Sequence, residues 1–311
     1  MKLNDYGSND IVNVVEIILP VFLLILLGYA AARRGMIDPQ ANKALGNLAF
    51  KFFMPMVLFT GMVNAPLHEG LNLHVLLAYF IPALFIFTLI NVISHRHLKR
   101  PSAYGLTASF SNNALIGLAM VSGMYGESGL VVLFTLLAVH SLLLFSFQSL
   151  YSSFAAHEPF STKVLLISLA NPMIIGLLIG TAVNLTGITL PVWSMKFTTW
   201  LAQAALPCAL IVLGANLSGF RPRPNSAVII ITTAKLVVMP AIVLLFCLLL
   251  NVGGMARGVL VLMAANPCGV NVLGFARTQD ETQTVSSAIC LTTLISIASI
   301  PFWIGINSLW P

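Results

Sequence analysis

The stretch "AANPCGVNVLGFAR", residues 264–277, interrupts a long apolar segment in the C-terminal third of the chain. It contains residues that weaken a helix or carry polar groups in need of partners, namely Asn266, Pro267, Gly269, Asn271 and Gly274. Pro267 lacks an N–H group and disfavours helical geometry at the residue before it, so a helix is expected to break here. The meaning of such a break depends on whether the segment lies in water or in a membrane.

Composition answers that question. Of the 311 residues, 58% are hydrophobic and 8% are charged, whereas about one quarter of the residues in soluble domains are charged. About 20 apolar residues cross a hydrocarbon core of roughly 30 Å. Ten such stretches can be marked off between short polar breaks, at residues 11–32, 41–63, 75–93, 103–125, 130–151, 164–185, 192–217, 227–250, 256–277 and 285–309. The sequence therefore predicts an all-α polytopic membrane protein with ten transmembrane helices.

Basic residues predict the orientation of these helices. Connections after odd-numbered spans carry Arg33, Arg34, Arg96, Lys99, Arg100, Arg221, Arg223 and Arg277, whereas those after even-numbered spans carry little beyond Arg257 and Lys196. Because lysine and arginine favour cytoplasmic loops, both termini are expected outside. The net charge of +6 is mostly this topology signal, and no soluble domain is predicted that would bind nucleic acid.

The two halves of the chain share an internal repeat. Pro20 and Gly28 each meet an identical residue 152 positions later, and Pro55 meets Pro207 at the same offset. With five spans in each half, the second half must insert upside down, which gives an inverted repeat typical of transporters. The predicted repeats are residues 1–155 and 156–311.

The repeat pairs the broken ninth span with the fourth, which reads "SFSNNALIGLAMVSG" at residues 109–123 and has no proline. Lipid cannot satisfy free backbone groups, so broken helices persist at membrane depth only around a protein-enclosed cavity. If both breaks cross there, the helices that resume point electropositive N-termini at one volume suited to a carboxylate. The candidate substrate-binding residues are Ser109, Ser111, Asn112, Asn113, Gly117, Lys235, Asn266, Pro267, Gly269 and Asn271. The alternative is two kinked helices whose asparagines only cross-link neighbours.

Charged and titratable residues within spans are rare and carry separate expectations. Lys235 lies five residues before Pro240 and either supplies positive charge to the pocket or bonds to helix carbonyls that the proline frees. His140 either relays protons or is a hydrogen-bonded structural residue. Glu16 is the one acidic residue in the predicted spans, which argues against coupling through a carboxylate pair. A proton or sodium ion as coupling partner stays open.

Enzymatic and cofactor motifs are missing from the sequence. It contains no HExxH, no P-loop and no closely spaced cysteine pair. We therefore expect a carrier and not an enzyme, with no cofactor and no metal. A related sodium-coupled organic-anion symporter and, less favoured, an ion channel are the alternatives.

Several segments resemble the auxin efflux carrier family in its short bacterial form, which includes malonate and malate carriers. They are "ILPVFLLILLGYAAARRGMI" at 18–37, "SNNALIGLAM" at 111–120, "NPMIIGLLIG" at 171–180, "LPCALIVLGANL" at 206–217, "KLVVMP" at 235–240 and "AANPCGVNVLGFA" at 264–276. Family members often have proline where this chain has Ala119, so the fourth helix is expected to bend less sharply.

The resemblance implies ten helices with crossed, broken helices four and nine. It implies a scaffold at about 11–63 and 164–217, a moving transport domain at about 75–151 and 227–309, a homodimer and elevator-like alternating access. The expected function is secondary transport of a small organic anion, a mono- or dicarboxylate such as malonate or malate, across the bacterial cytoplasmic membrane.

Overall fold

The structure is a computed structural model that describes residues 9–63, 65, 72–156 and 171–310. These residues are almost entirely helical, and an isolated bridge is the one β-type pairing among them. The α-helices are α1 Asn9–Arg33, α2 Pro39–Leu48, α3 Met54–Val63, α4 Leu73–Leu98, α5 Tyr104–Ser109, α6 Leu118–Ala156, α7 Pro172–Thr186, α8 Val192–Gly219, α9 Ser226–Thr233, α10 Met239–Leu249, α11 Gly254–Ala265 and α12 Gln279–Asn307.

Seven helical stretches in the described residues are long and apolar enough to cross a membrane. They are Glu16–Arg33, Pro39–Val63, Leu73–Leu98, Asn113–Ala156, Val192–Gly219, Ser226–Leu249 and Gln279–Asn307. Two more apolar helices, α7 and α11, are shorter. The chain is thus a polytopic membrane protein, while the predicted count of ten spans stays a prediction.

The long stretch Asn113–Ala156 consists of two helices joined at a kink. The kink is at Gly126, between the predicted fourth span (103–125) and the predicted fifth span (130–151). Gly126 has φ 59° and ψ −148°, a conformation that side-chain-bearing residues rarely adopt. The first part of the sixth predicted span, residues 164–170, lies outside the described residues, and the described helix begins at Pro172.

Two of the long stretches contain a π-helical turn just before a proline. Ala49–Phe53 precedes Pro55, and Ala234–Val238 precedes Pro240. Proline cannot donate to the carbonyl four residues earlier and its ring crowds that carbonyl, so a locally wider turn keeps the helix continuous. At Pro240 the carbonyl of Leu236 accepts a hydrogen bond from the Trp303 indole N–H at 2.8 Å instead.

Helices α1, α2, α3, α7 and α8 pack against one another. Small residues allow this close approach. A methyl group added to Gly28 in α1 would lie 2.0 Å from the carbonyl oxygen of Ile211 in α8, and one added to Gly180 in α7 would lie 2.6 Å from that of Phe59 in α3. Backbone therefore contacts backbone at both crossings.

A second set of contacts joins α4, α5, α6, α10, α11 and α12, and α9 contacts α5 and α12. The two sets meet where α1, α3, α7 and α8 approach α6 or the segment just before it, and where α1 also contacts α12. The predicted division into a scaffold and a moving transport domain stays a prediction.

Candidate substrate site at two paired helix interruptions

Two helix interruptions lie against each other in the interior. The backbone N–H of Asn112 donates to the carbonyl of Pro267 at 2.8 Å, and the N–H of Gly269 donates to the carbonyl of Phe110 at 2.9 Å. Between them, Ser111 and Cys268 form an antiparallel bridge. The interruptions thus satisfy each other's backbone polar groups, as burial away from water requires.

The interruption of the ninth predicted span follows from its proline. Helix α11 ends at Ala265, and Asn266 adopts an extended backbone with φ −61° and ψ 149°. This is the conformation favoured before proline. The chain resumes as a six-residue 3-10 helix, Val270–Phe275. The expected second half-helix with an electropositive N-terminus is therefore wrong in form, because this segment is too short to sum many peptide dipoles.

The interruption of the fourth predicted span needs no proline. Helix α5 ends at Ser109, and Phe110 is extended with φ −87° and ψ 109°. The chain resumes as the π-helical turn Asn113–Gly117, which leads directly into α6. Here a long helix does begin at the interruption, as expected. The absence of proline at Ala119 does not remove the break, because the extended residues pair with the other interruption.

Side chains connect the two interruptions. The Asn266 amide donates to the side-chain oxygen of Asn113 at 2.8 Å. The Asn113 amide in turn donates to the hydroxyl of Tyr79 at 3.0 Å, and that hydroxyl lies 3.2 Å from Ser111 Oγ. The network couples α4 to both interruptions and fixes the orientation of Asn113.

A cavity lies beside this network. Predicted site residues that line it are Ser111, Asn112, Asn113, Gly269 and Asn271. Its opposite wall is largely apolar and comes from α3 and α7, with Leu58, Met173, Ile174 and Leu177. The cavity therefore joins the two sets of packed helices, with polar groups mainly on the side of the interruptions.

The remaining predicted residues do not line the cavity. Ser109 donates to the carbonyl of Gly105 in its own helix. Pro267 supplies the backbone carbonyl that Asn112 binds. Asn266 is fully buried behind Asn113. These residues support the shape of the site without facing it.

Gly117 also stands behind the cavity and sets how closely the two interruptions approach. A methyl group added there would lie 2.8 Å from Asn266 Nδ2 and 3.1 Å from Asn113 Oδ1. Glycine at this position therefore leaves room for the hydrogen bond between the two asparagines.

Of the two roles expected for Lys235, bonding to the carbonyl that Pro240 frees is not seen, and supplying positive charge to the cavity stays a prediction. The Lys235 side chain is fully buried, does not line the cavity, and donates from Nζ to the carbonyl of Ala264 at 2.6 Å. Ala264 lies in the last turn of α11, whose carbonyls lack helical partners. The carbonyl freed by Pro240 instead binds Trp303. Lys235 therefore neutralises the end of the broken helix.

Three further polar residues line the cavity, namely His140, Ser141 and Asn171. His140 was expected to be a proton relay or a structural residue, and none of the three was among the predicted site residues. Asn171 lines the cavity and caps α7 by accepting the Met173 N–H at 3.0 Å. His140 also lines it, and its supporting neighbour Tyr79 is fully buried. The dipeptide Asn171–Pro172 was a usable signal, since it repeats Asn266–Pro267.

One donor at the cavity has no partner. The side-chain nitrogen of Asn112 is buried and makes no hydrogen bond within the protein, although Asn112 lines the cavity. An unmade hydrogen bond of a buried amide costs about 1–3 kcal/mol. A ligand oxygen in the cavity would remove that cost. The described residues contain no group of three or more His, Cys, Asp or Glu side chains able to hold a metal ion.

Comparison with known proteins agrees with a transport role. A family model described as "Membrane transport protein" matches residues 13–304. An "Uncharacterized transporter" of Methanothermobacter thermautotrophicus is 26% identical and the match covers 93% of this chain and 96% of that protein. A "Putative malonate transporter" of Rhizobium meliloti is 25% identical, with coverage of 92% and 93%. An "Uncharacterized transporter" of Escherichia coli is 24% identical, with coverage of 94% and 97%.

The matched region contains both interruptions and all of the described helices except the first four residues of α1 and the last three of α12. The resemblance seen in the sequence motifs is therefore confirmed over nearly the whole chain. The protein is a member of the membrane transport protein family, the auxin efflux carrier family.

Proposed function

We propose that this protein is a secondary carrier of a small organic anion, a mono- or dicarboxylate such as malonate or malate. The substrate binds in the cavity beside the paired interruptions. The observation that carries the proposal is that Asn112, a residue that lines the cavity, has a buried side-chain nitrogen without a hydrogen-bond partner. An amide donor without a partner favours a ligand that brings an acceptor oxygen.

The chemistry of the wall supports an anion. Ser111, Asn113 and Asn271 add neutral polar groups, and the helix that resumes at Asn113 presents its electropositive end there. Such groups bind a carboxylate without the desolvation penalty of a buried counter-ion. The relative named for malonate transport fits this substrate class.

Membrane energetics favour export as the simpler direction. Moving one negative charge out of a negative-inside cell is favourable by about 2.3 kcal/mol per 100 mV. Export needs no coupling ion, whereas uptake of the same anion needs a proton, a sodium ion or an exchanged anion. We propose the bacterial cytoplasmic membrane as the location, with both termini outside as the basic residues indicate.

Helix crossings within the group α1, α2, α3, α7 and α8 support an inverted repeat of residues 1–155 and 156–311. Gly28 contacts Ile211, and Gly180 contacts Phe59. Gly180 lies 152 positions after Gly28, and Ile211 lies 152 positions after Phe59. Each contact therefore joins the repeat-related partners of the two residues in the other contact. We propose that this set is the scaffold, that it dimerises, and that the other helices move against it as an elevator.

Ligand-induced thermal stabilisation of the purified protein tests the substrate class. The panel consists of malonate, malate, succinate, citrate, lactate and indole-3-acetate. Stabilisation by one or more carboxylates, followed by uptake of that acid into proteoliposomes, is the expected result. No stabilisation by any member, together with no uptake, would reject the proposal.

The same proteoliposomes separate the alternatives. Uptake that requires an imposed sodium gradient identifies the sodium-coupled symporter. Ion currents far above carrier turnover identify a channel. Uptake that is independent of sodium and shows counterflow of labelled against unlabelled acid supports the proposed carrier.

A further inference from the structure

The cavity wall contains one titratable side chain among the described residues. Among the described residues that line it, His140 is the sole titratable group, and all others are apolar or neutral polar. The unperturbed titration range of histidine lies between about pH 5 and 8. Any exchange of protons by the cavity wall in that range must therefore involve His140.

The position of His140 links it to the proposed substrate contacts. Its Nε2 lies 3.4 Å from the hydroxyl of Tyr79. That hydroxyl also contacts Ser111 and accepts from Asn113. His140 is therefore one hydroxyl group away from two polar side chains of the cavity wall.

Aromatic contacts hold the imidazole ring at the cavity. The ring centroids of His140 and Phe110 lie 4.4 Å apart with an interplanar angle of 33°. Phe80 and Tyr79 lie against the ring from α4 at centroid distances of 6.4 and 5.8 Å. The ring is fixed between α4 and the interruption that contains Phe110, and a bound anion would lie beside it.

The charged and titratable groups that face His140 are few. Tyr79 approaches from α4, and Lys235 acts on it electrostatically from the π-helical turn Ala234–Val238. Cys268 from the second interruption interacts with Lys235 in turn. Of the other charged groups on packed elements, Arg257 of α11 binds Asn307, and Glu281 of α12 binds Arg100.

Without a bound anion, burial is the first factor that disfavours a charged imidazole at His140, and repulsion by Lys235 is the second. Lys235 carries the same charge as a protonated imidazole and repels it. An anion in the cavity attracts it. The balance of charge at His140 therefore changes when substrate binds, and it changes in the direction that favours uptake of a proton.

We propose that His140 is the proton-binding residue of the carrier, gaining a proton when a carboxylate enters the cavity and losing it when the carboxylate leaves. The inference rests on the proposed function. A dicarboxylate would then cross with one proton, and the charge moved per cycle falls from two negative charges to one. The proton comes from the side to which the cavity is open and is released on the other.

Thermodynamic linkage makes the proposal measurable. If the anion raises the proton affinity of His140, a proton must raise the anion affinity by the same factor. Where one proton is bound with each anion, affinity rises about tenfold for each unit by which pH falls. A cavity without a titrating residue has no such slope.

Calorimetric titration of the purified protein with malonate tests this. The titration is run slightly above neutral pH, where both carboxyl groups of malonate are ionised, in buffers of different ionisation enthalpy. The wild type is expected to take up about one proton per bound malonate. His140→Gln, which keeps a polar side chain of similar reach, is expected to bind malonate with no proton uptake and no pH slope. His95→Gln is the matched control, since His95 lies outside the cavity and should retain the uptake.

Tyr79→Phe provides a second test that keeps the imidazole. It removes the hydroxyl that links His140 to Ser111 and Asn113, so proton uptake should persist while malonate affinity falls. If His140→Gln is recovered unfolded, Tyr79→Phe can still be used to measure proton uptake and malonate affinity.

Three outcomes would overturn the inference. Wild-type binding of malonate without proton uptake leaves the proposed function standing and removes the role of His140. Unchanged proton uptake in His140→Gln assigns the proton to another group. No binding of malonate or of any other acid in the panel removes the proposed function and this inference with it.

Discussion

The Asn266 amide donates a hydrogen bond to the side-chain oxygen of Asn113, 153 positions earlier and 2.8 Å away. This bond joins the end of α11 to the start of the helix that leads into α6. It joins the two interruptions, because Asn113 is bound by Asn266 on one side and lines the cavity on the other. The two kinds of asparagine at this site should therefore respond differently to mutation.

Replacement of Asn112 should affect binding and not folding. In Asn112→Ala the unpartnered donor of the cavity wall is lost, while the backbone bond to Pro267 remains. A hydrogen bond to a charged ligand is worth about 1.5–3 kcal/mol, so the dissociation constant should rise roughly ten- to a hundredfold. Thermal stabilisation by the bound acid reports this change, and an unaltered affinity would show that Asn112 makes no contact with substrate.

Replacement of Asn266 should affect both folding and binding. Asn266→Ala leaves the buried oxygen of Asn113 without its donor, which costs about 1–3 kcal/mol. Asn113 also loses its fixed orientation at the cavity. We expect a lower unfolding temperature without ligand and loss of ligand-dependent stabilisation. A variant with the wild-type unfolding temperature would contradict the structural role assigned to this bond.

Gly117 allows a test that removes no polar group. In Gly117→Ala the new methyl group would lie 2.8 Å from Asn266 Nδ2, so the bond between the two asparagines must lengthen or break. The acid concentration needed for a given thermal stabilisation should rise at least tenfold. This corresponds to a loss of about 1.4 kcal/mol of binding free energy. Gly305→Ala is the control, because nothing lies within 4 Å of a methyl group added there. Equal behaviour of the two variants would count against the proposed packing.

The elements that local chemistry determines could be predicted from the sequence. Long apolar runs between charged breaks correspond to the long helices, and Pro267 predicts the end of α11 because proline acts on its immediate neighbours. The position of the fourth-span break was also predicted from Ser111, Asn112 and Asn113. How sharply the helix breaks there could not be predicted, because the extended backbone is stabilised by pairing with residues more than 150 positions away.

Features that depend on packing between distant segments could not be predicted from the sequence. The inward face of a uniformly apolar helix such as α6 has no periodic signal, so His140 could not be assigned to a cavity wall. The resumption after Pro267 as a 3-10 helix, and the bond from Lys235 to Ala264, likewise depend on which neighbours are within reach.

Lys235 should contribute to stability through that bond. In Lys235→Met the Ala264 carbonyl loses a partner at 2.6 Å, and an unsatisfied buried acceptor costs about 1–3 kcal/mol. We expect a lower unfolding temperature in detergent, measured without ligand. Lys51→Met is the comparison, because Lys51 is exposed and should change stability little. A Lys235→Met protein as stable as the wild type would mean that the ammonium group is not needed at the end of α11.

Glu281 is a buried acidic residue that the predicted span boundaries left in a loop. Helix α12 begins at Gln279, since Thr278 caps it by accepting the Glu281 N–H, and Glu281 is fully buried. Its carboxylate accepts from the Ala103 N–H at the start of α5 and from Arg100 at 3.3 Å. The residue thus anchors the first half of the broken fourth span.

Removing the charge of Glu281 should loosen that anchor. In Glu281→Gln an amide donor can face the Ala103 N–H donor, and the ion pair with Arg100 is lost. Because the Arg100 side chain is 37% exposed, solvent screens the pair and its loss costs little. The main cost is the buried hydrogen bond, about 1–3 kcal/mol. Unfolding temperature and yield in detergent should both fall well below those of the exposed-site control Glu127→Gln. Because Glu281 lies outside the cavity wall, the folded fraction that remains should bind substrate with wild-type affinity. Weakened binding in that fraction would mean that the anchoring of α5 also sets the geometry at Asn112.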